Sequence, residues 1–229
     1  AMLDNGEFVH VLDTRNDYEM RIGTFENAIN LDLPTFRDFP EAVANLPRSM
    51  KDEPVVMFCT GGIRCEKASA YLKHTGFPNV HPLEGGIIEY VRQVKEHGLN
   101  NRFRGVNFVF DERMAERVSD DVVAECHHCG TACDTMVNCA NPACNVLMVQ
   151  CPGCAESMAG TCGSECQEFL TLADSLEGEM REKAMGNHGF AVKHREIVDR
   201  FGRFPHRNGI LGRETTEEEF SPPSSPSVW

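Results

Sequence analysis

The sequence has no long apolar run and no basic segment. None of its 229 residues lies in a stretch apolar enough to span a bilayer, and no charged-then-apolar leader stands at the N-terminus. We therefore expect a soluble protein with no membrane partner. Most of its 11 cysteines stand in pairs at metal-ligand spacing, which argues against a secreted disulfide framework and predicts a cytoplasmic protein in a reducing compartment.

The formal net charge is −13, and no region reverses its sign. It is −5 over residues 1–100 (10 basic, 15 acidic), −6 over 101–170 (4 and 10) and −2 over 171–229 (8 and 10). A protein that binds nucleic acid by itself usually shows a basic surface, and the sequence predicts none. A chain of this length can bury a substantial core, and two compact units are expected.

One loop carries the clearest chemistry. An apolar run over residues 54–58 predicts a buried strand, and residues 66–73 predict a helix, so the segment between them is a strand-to-helix turn. Two glycines there allow successive N–H groups to point at one atom, beside the positive end of the helix. A thiol in this position is acidic and nucleophilic. We predict Cys59 and Arg64 as catalytic residues, with an active loop formed by Thr60, Gly61, Gly62 and Ile63.

The loop has the form Cys-x4-Arg and resembles that of the rhodanese fold, in which the cysteine carries a transferable sulfur. The related dual-specificity phosphatases have a loop one residue longer, so phosphatase chemistry is disfavoured. The longer string CTGGIRCEKASAYL, from Cys59 to Leu72, resembles the rhodanese-type hydroxylases of the tRNA wobble uridine and their eukaryotic relatives with a cysteine-rich tail. The resemblance covers roughly residues 8–168.

The resemblance implies an α/β fold in which a parallel sheet is flanked by helices. Residues 8–12, 54–58 and 80–83 predict strands, and residues 84–91 resemble a second rhodanese signature that leads into a helix ending near Gly98. It also implies that Asp13 and Arg15, in the first signature, support the active loop from a buried position; a solvated pair at a strand end is the alternative. The chain begins without methionine and enters a strand at once, so we expect a fragment, with a first strand and a small α/β domain upstream that tRNA binding would need.

Four cysteine pairs follow this fold: Cys126 with Cys129, Cys139 with Cys144, Cys151 with Cys154, and Cys162 with Cys166. Eight thiolates at these spacings can hold two closed tetrahedral zinc ions, which would be structural. The segment has too few large apolar residues to fold by burial alone. An interleaved pairing, first with third and second with fourth, is preferred, and a sequential one stays open. Cys133 is expected to be spare, and His127 or His128 could substitute as a ligand.

The predicted domains are a rhodanese-like domain over residues 1–104, a zinc-binding domain over 105–168, a helical tail over 169–220 and a disordered tail over 221–229. Residues 168–185 predict one amphipathic helix. Residues 190–213 resemble the C-terminal end of an uncharacterised all-helical, tetratricopeptide-like family, from which no function is transferred. The proline- and serine-rich end predicts disorder.

Three functions stay open at this point. The resemblance favours oxygen-dependent 5-hydroxylation of the tRNA wobble uridine, although no set of two histidines and a carboxylate that would hold iron is recognisable. Sulfur transfer from small sulfur donors through a persulfide on Cys59 is the second. A non-catalytic, zinc-dependent interaction protein is the third. Cys65 could resolve an oxidised Cys59, but packing of Cys65 against the sheet is favoured.

Overall fold

The computed structural model describes residues 9–203, 205, 208–209 and 212–220, without the side chains of residues 187–194, 196, 218 and 220. The first residue of the predicted strand, Phe8, and the tail over 221–229 that was predicted to be disordered lie outside these ranges. The chain divides into two compact units, one formed by residues 1–137 and 148–154, the other by residues 138–147 and 155–229. The domain boundaries at residues 104 and 168 remain predictions.

The first unit is built on a parallel sheet. Its strands, in chain order, are β1 (His10–Asp13), β2 (Gly23–Phe25), β3 (Ala28–Ile29), β4 (Val55–Phe58), β5 (Val80–Pro82), β6 (Phe103–Phe108) and β7 (Ala115–Arg117). Four of them form the parallel sheet in the order β3-β1-β4-β5, so β4 is central. Along β4, Met57 packs into one buried cluster and Phe58 into another, which is why the strand is apolar on both faces. The predicted α/β fold with a parallel sheet is confirmed.

A second, antiparallel sheet joins the following region to this core. Strand β6 pairs with β2 on one side and with β7 on the other. Residues just beyond position 104 therefore complete the α/β unit. The chain leaves β6 at Phe108 and turns through residues 109–114.

The helices of the α/β region are α1 (Asp17–Met20), α2 (Phe39–Ala44), α3 (Ile63–His74) and α4 (Gly86–His97), with short 3-10 helices over Phe36–Asp38 and Arg48–Asp52. Helix α3 begins three residues before the predicted segment, directly after the loop glycines. Helix α4 ends as predicted, where Gly98 takes a left-handed conformation. Because the four strands β3, β1, β4 and β5 are parallel, the segments that follow them all start at the same edge of the sheet.

The cysteine-rich segment contains little regular structure. It has strands β8 (Met136–Asn138) and β9 (Leu147–Val149), which form a two-stranded sheet, and the helix α5 (Pro152–Ser157). Few of its buried side chains are large and apolar. Its folding must therefore depend on something other than an apolar core.

The prediction of one helix over residues 168–185 is wrong. The chain forms α6 (Ser164–Asp174) and α7 (Gly178–Phe201), and later the short α8 (Glu217–Phe220). The break arises because the Ser175 hydroxyl and N–H both bond to the Leu172 carbonyl, while Glu177 is extended. Apolar spacing alone does not reveal such a stop. Within the part of the chain that is described, no helix is both long and apolar enough to cross a membrane.

Candidate active site

Cys59 lies at the carboxyl end of the central strand β4, where the sheet edge meets the start of α3. The loop closes tightly because Gly62, before the first turn of α3, takes a left-handed conformation with φ +88°. Its N–H donates to the Cys59 sulfur at 3.1 Å. Gly62 therefore supplies one of the loop N–H groups that were predicted to point at the Cys59 sulfur.

The start of helix α4 holds the loop from the other side. The N–H of Ile87 donates to the Cys59 carbonyl at 3.0 Å, and the N–H of Ile88 donates to the Thr60 carbonyl at 3.1 Å. Gly86 makes this approach possible, since a Cβ on it would lie 2.4 Å from the Cys59 carbonyl oxygen. With its carbonyls tied to α4, the loop presents its amides toward the sulfur.

The Cys59 thiol is acidic. Its pKa falls to about 5, chiefly because the Cys65 thiol donates a hydrogen bond to the thiolate, and burial only partly opposes this. Backbone N–H groups of Cys65 and Arg64 and the charge of Arg64 lower the pKa further. At neutral pH Cys59 is therefore a thiolate, the form that attacks electrophiles.

Cys65 packs in the core, as favoured from the sequence, and its thiol also hydrogen-bonds to Cys59; a role in resolving an oxidised Cys59 stays a prediction. It is buried in the core against the sheet, with its sulfur 3.7 Å from the Thr14 hydroxyl. The Cys59 thiolate raises the pKa of Cys65 above its ordinary range, because Cys65 keeps the proton that it donates. Cys65 is thus a packing residue that also stabilises the neighbouring anion.

Arg64 is held mainly by a residue that the sequence analysis missed. Its two terminal nitrogens donate to the carboxylate of Glu19 at 2.5 and 2.7 Å, and the hydroxyl of Thr60 donates to the same carboxylate at 3.2 Å. Glu19 is fully buried. A signal was present: Asn16 and Glu19 have the spacing of a helix capping box, which orients such a carboxylate toward the chain before α1.

Asp13 and Arg15 form a buried ion pair beside the loop. The carboxylate of Asp13 accepts from Nε of Arg15 at 3.0 Å and from Nη2 at 2.7 Å, and both side chains are almost completely inaccessible. Arg15 also donates to the Gly23 carbonyl at 2.6 Å. Asp13 pairs in the sheet with Phe58, the residue before Cys59. The burial matches the supporting role and does not fit a solvated pair.

A cavity of about 320 Å³ opens directly above Cys59. Its walls come from the active loop, the first turns of α3 and α4, and the turn after β6; the lining residues are Cys59, Thr60, Gly61, Ile63, Arg64, Ile88, Val109, Phe110, Asp111 and Arg113. The loop residues predicted from the sequence line this cavity. Ile88 and the turn after β6 were not predicted, because Ile88 reaches the loop through the contact of α4 with Thr60, and the turn reaches it through the antiparallel pairing of β6 with β2.

The eight paired cysteines converge on two clusters. One contains Cys126, Cys129, Cys151 and Cys154, and the other contains Cys139, Cys144, Cys162 and Cys166, with all sulfurs of a cluster within 4.8 Å of one another. This is the interleaved arrangement. Cys133, His127 and His128 belong to neither cluster.

The geometry of both clusters fits zinc. Tetrahedral coordination at a Zn–S distance of about 2.3 Å places neighbouring sulfurs about 3.8 Å apart. The sulfurs of Cys129 and Cys151 lie 3.7 Å apart, and those of Cys144 and Cys162 lie 3.6 Å apart. The N–H of Cys151 points at the Cys126 sulfur and that of Cys162 at the Cys139 sulfur, both at 3.4 Å, as is usual for metal-bound thiolates. Each cluster can hold one metal ion.

Comparison with known families agrees with this architecture. Residues 1–93 match the family described as "Rhodanese-like domain", and residues 104–167 match the family described as "Rhodanase C-terminal". The chain contains a rhodanese-like domain. The central strand, the Cys59 loop and the first two turns of helix α4 lie inside the first match, and both cysteine clusters lie inside the second.

Curated proteins are similar to this chain over most of its length. Proteins named "tRNA uridine(34) hydroxylase" are 51% identical over 190 residues in Photorhabdus laumondii, 50% over 190 residues in Cronobacter sakazakii and 55% over 173 residues in Erwinia tasmaniensis. These matches cover 83%, 82% and 75% of this chain, and 53%, 53% and 49% of the relatives. The resemblance inferred from the Cys59 loop is confirmed. The chain spans about half the length of the curated relatives that it matches.

Proposed function

We propose that this protein is an oxygen-dependent hydroxylase of the tRNA wobble uridine, with Cys59 as its nucleophile. One observation carries the proposal: the floor of the cavity is a thiol with a pKa of about 5, held by loop amides in a rhodanese-like domain. Relatives about 50% identical over most of this chain bear the name of that activity. A thiolate beneath an open cavity suits attack on an electrophilic ring carbon.

The proposed role of Cys59 is covalent addition to the uracil ring. The thiolate sulfur bonds to C6, the C5–C6 π bond breaks, and its electron pair moves toward O4 as an enolate. This makes C5 electron-rich. Hydroxylation then places one oxygen atom of dioxygen on C5 as an alkoxide, while an external two-electron donor such as a dithiol supplies the two electrons and two protons that reduce the other atom to water. Elimination of the thiolate from C6 and loss of the C5 proton, which balances protonation of the alkoxide, restore the C5–C6 double bond and the enzyme.

The neighbouring groups have distinct parts in this proposal. The N–H of Gly62 and the thiol of Cys65 stabilise the sulfur anion before attack and when it leaves. Arg64, fixed by Glu19, adds positive charge beside the loop. Asp13 and Arg15 keep the neighbouring strand end rigid. Two zinc ions would cross-link the cysteine-rich segment and carry no step of the reaction.

The proposed macromolecular substrate is tRNA. The acidic composition offers little long-range attraction for RNA, and we propose that an additional α/β domain contributes the tRNA contacts. A protein acting on cellular tRNA would work in the cytoplasm.

The test compares 5-hydroxyuridine in tRNA from cells whose own copy of the protein is wild type or Cys59→Ser. The modification should be lost in the Cys59→Ser cells and persist in cells carrying Cys133→Ser, whose thiol lies outside the active loop. Equal levels in wild-type and Cys59→Ser cells would contradict the proposal.

Sulfur transfer is the second candidate, favoured by the match to the rhodanese-like family. In that reaction the Cys59 thiolate displaces sulfite from thiosulfate and keeps its outer sulfur as a persulfide. Mass spectrometry after thiosulfate treatment should then show one added sulfur on the peptide containing Cys59. A protein that stays unmodified, while Cys59 remains alkylatable, excludes this candidate.

A further inference from the structure

Phe110 is an exposed aromatic residue fixed at the mouth of the Cys59 cavity. Its side chain is 68% exposed, which is unusual for a phenylalanine. The ring is nevertheless held by a neighbour: the rings of Phe108 and Phe110 meet in a T-shaped contact at 5.0 Å and 84°, and Tyr18 meets Phe108 in turn at 5.2 Å and 82°. Most of Phe110 is thus accessible while the ring is kept in place, so little conformational freedom is lost when a ligand stacks on it.

Apolar side chains are exposed beside Phe110 at the cavity. Ile63 from the start of α3 and Ile88 from the start of α4 are also exposed there, at 76% and 51%. The guanidinium of Arg64 lies 5.8 Å from the centre of the Phe110 ring and adds a second planar group. Aromatic rings and guanidinium planes are the surfaces on which unpaired bases stack in proteins that bind single-stranded RNA.

The charges of the cavity favour a neutral ligand. Arg64 is neutralised by Glu19, and Arg113 is neutralised by Asp111, which accepts from its Nε and Nη2 at 3.0 and 2.7 Å. Both arginines that line the cavity therefore have a carboxylate partner, which favours a neutral ring over a phosphate or another small anion. The volume of about 320 Å³ lies at the lower end of the range of about 300–1,000 Å³ typical of ligand pockets, which suits one ring system.

We infer that Phe110 is the stacking platform for an unpaired pyrimidine base whose edge enters the cavity toward Cys59. The inference rests on the proposed function. It assigns to Phe110 the selection of a nucleic-acid base over a small sulfur donor. A stacked ring above the cavity would present its C5–C6 bond to the sulfur, whereas thiosulfate needs no such platform.

The test is a binding cycle with two fluorescently labelled RNA hairpins. One presents an unpaired uridine in its loop, and the other has an abasic site at that position, so the two differ only in the base. Binding of each is followed by fluorescence anisotropy with the complete protein carrying Cys59→Ser, either alone or with Phe110→Ala or Phe110→Trp. Iodoacetamide labelling of Cys59 in the matching variants with the native cysteine reports whether the loop is intact.

Phe110→Ala should weaken binding of the uridine hairpin on the order of tenfold and leave binding of the abasic hairpin unchanged. Phe110→Trp should bind like the parent, and the labelling rate should stay the same in all variants. Equal weakening of both hairpins, no weakening of either, or no RNA binding by the parent chain would each overturn the inference. Failure of the proposed function is separate: it would appear as persistent 5-hydroxyuridine in Cys59→Ser cells, whatever the binding cycle shows.

Discussion

Glu19 accepts hydrogen bonds from both terminal nitrogens of Arg64, at 2.5 and 2.7 Å, from a position with no solvent exposure. The pair joins α1 to the active loop, because Thr60 donates to the same carboxylate. An arginine held in this way cannot swing toward solvent. The geometry of Arg64 relative to Cys59 is therefore set by a residue 45 positions before Arg64 in the chain.

Glu19→Gln should destabilise the protein, because it leaves the Arg64 charge without its partner carboxylate. Loss of one member of a buried ion pair costs about 3–5 kcal/mol. Chemical denaturation measures the change in the free energy of unfolding. Glu89→Gln is the matched control, since Glu89 pairs with Arg92 at the surface and its loss should change stability very little. If the two substitutions changed the free energy of unfolding equally, the Glu19–Arg64 pair would stabilise the protein no more than a surface ion pair does.

The rate of Cys59 alkylation should follow its thiolate fraction, with a midpoint near pH 5. Below the midpoint the thiol is protonated and the rate falls; above it the rate reaches a plateau. Cys65→Ala removes the hydrogen bond that lowers this pKa most, so its midpoint should move up toward the value of about 8.5 for an ordinary thiol. Cys65→Ser keeps a donor and should shift less. The alkylation rate is measured by mass spectrometry of the Cys59 peptide. If its pH profile were the same in Cys65→Ala and the wild type, Cys65 would not lower the pKa of Cys59.

Gly86→Ala should displace the active loop. The new Cβ would lie 2.4 Å from the Cys59 carbonyl oxygen and 2.7 Å from the Gly62 nitrogen, and the backbone there is left-handed. We expect a loss of stability of about 1–3 kcal/mol and slower alkylation of Cys59. Gly98→Ala is the control: it is also left-handed but has no neighbouring atom within 4 Å, so it should cost stability without changing the alkylation rate. A normal alkylation rate in Gly86→Ala would argue against the clamp formed by α4.

Metal analysis should find two zinc ions bound to each purified chain. Cys151→Ser should reduce this to one, because it breaks only the cluster of Cys126, Cys129, Cys151 and Cys154. Cys133→Ser should retain both ions. Removal of zinc by a chelator should increase hydrogen exchange over residues 126–166 far more than in strand β4, since burial alone does not hold that segment. Unchanged exchange in that segment would show that metal is not needed for its structure.

The sequence by itself determined the elements whose causes are local. The apolar run before Cys59 specifies a strand buried on both faces, Gly62 permits the tight turn, and Gly98 ends α4. The spacing of the cysteines likewise specified four ligand pairs. It left their pairing open, because the chain between the pairs could close in either order.

Only the tertiary structure decided which distant groups meet at the site. Glu19 reaches Arg64, and Phe110 reaches the cavity, through the pairing of strands far apart in the chain, and no local pattern encodes those distances. The same is true of Cys65, which stabilises the Cys59 anion because folding brings the two buried thiols within hydrogen-bonding distance. The sequence specifies which side chain is a thiol, but the low pKa of Cys59 arises from hydrogen-bond donors and charges that folding brings together.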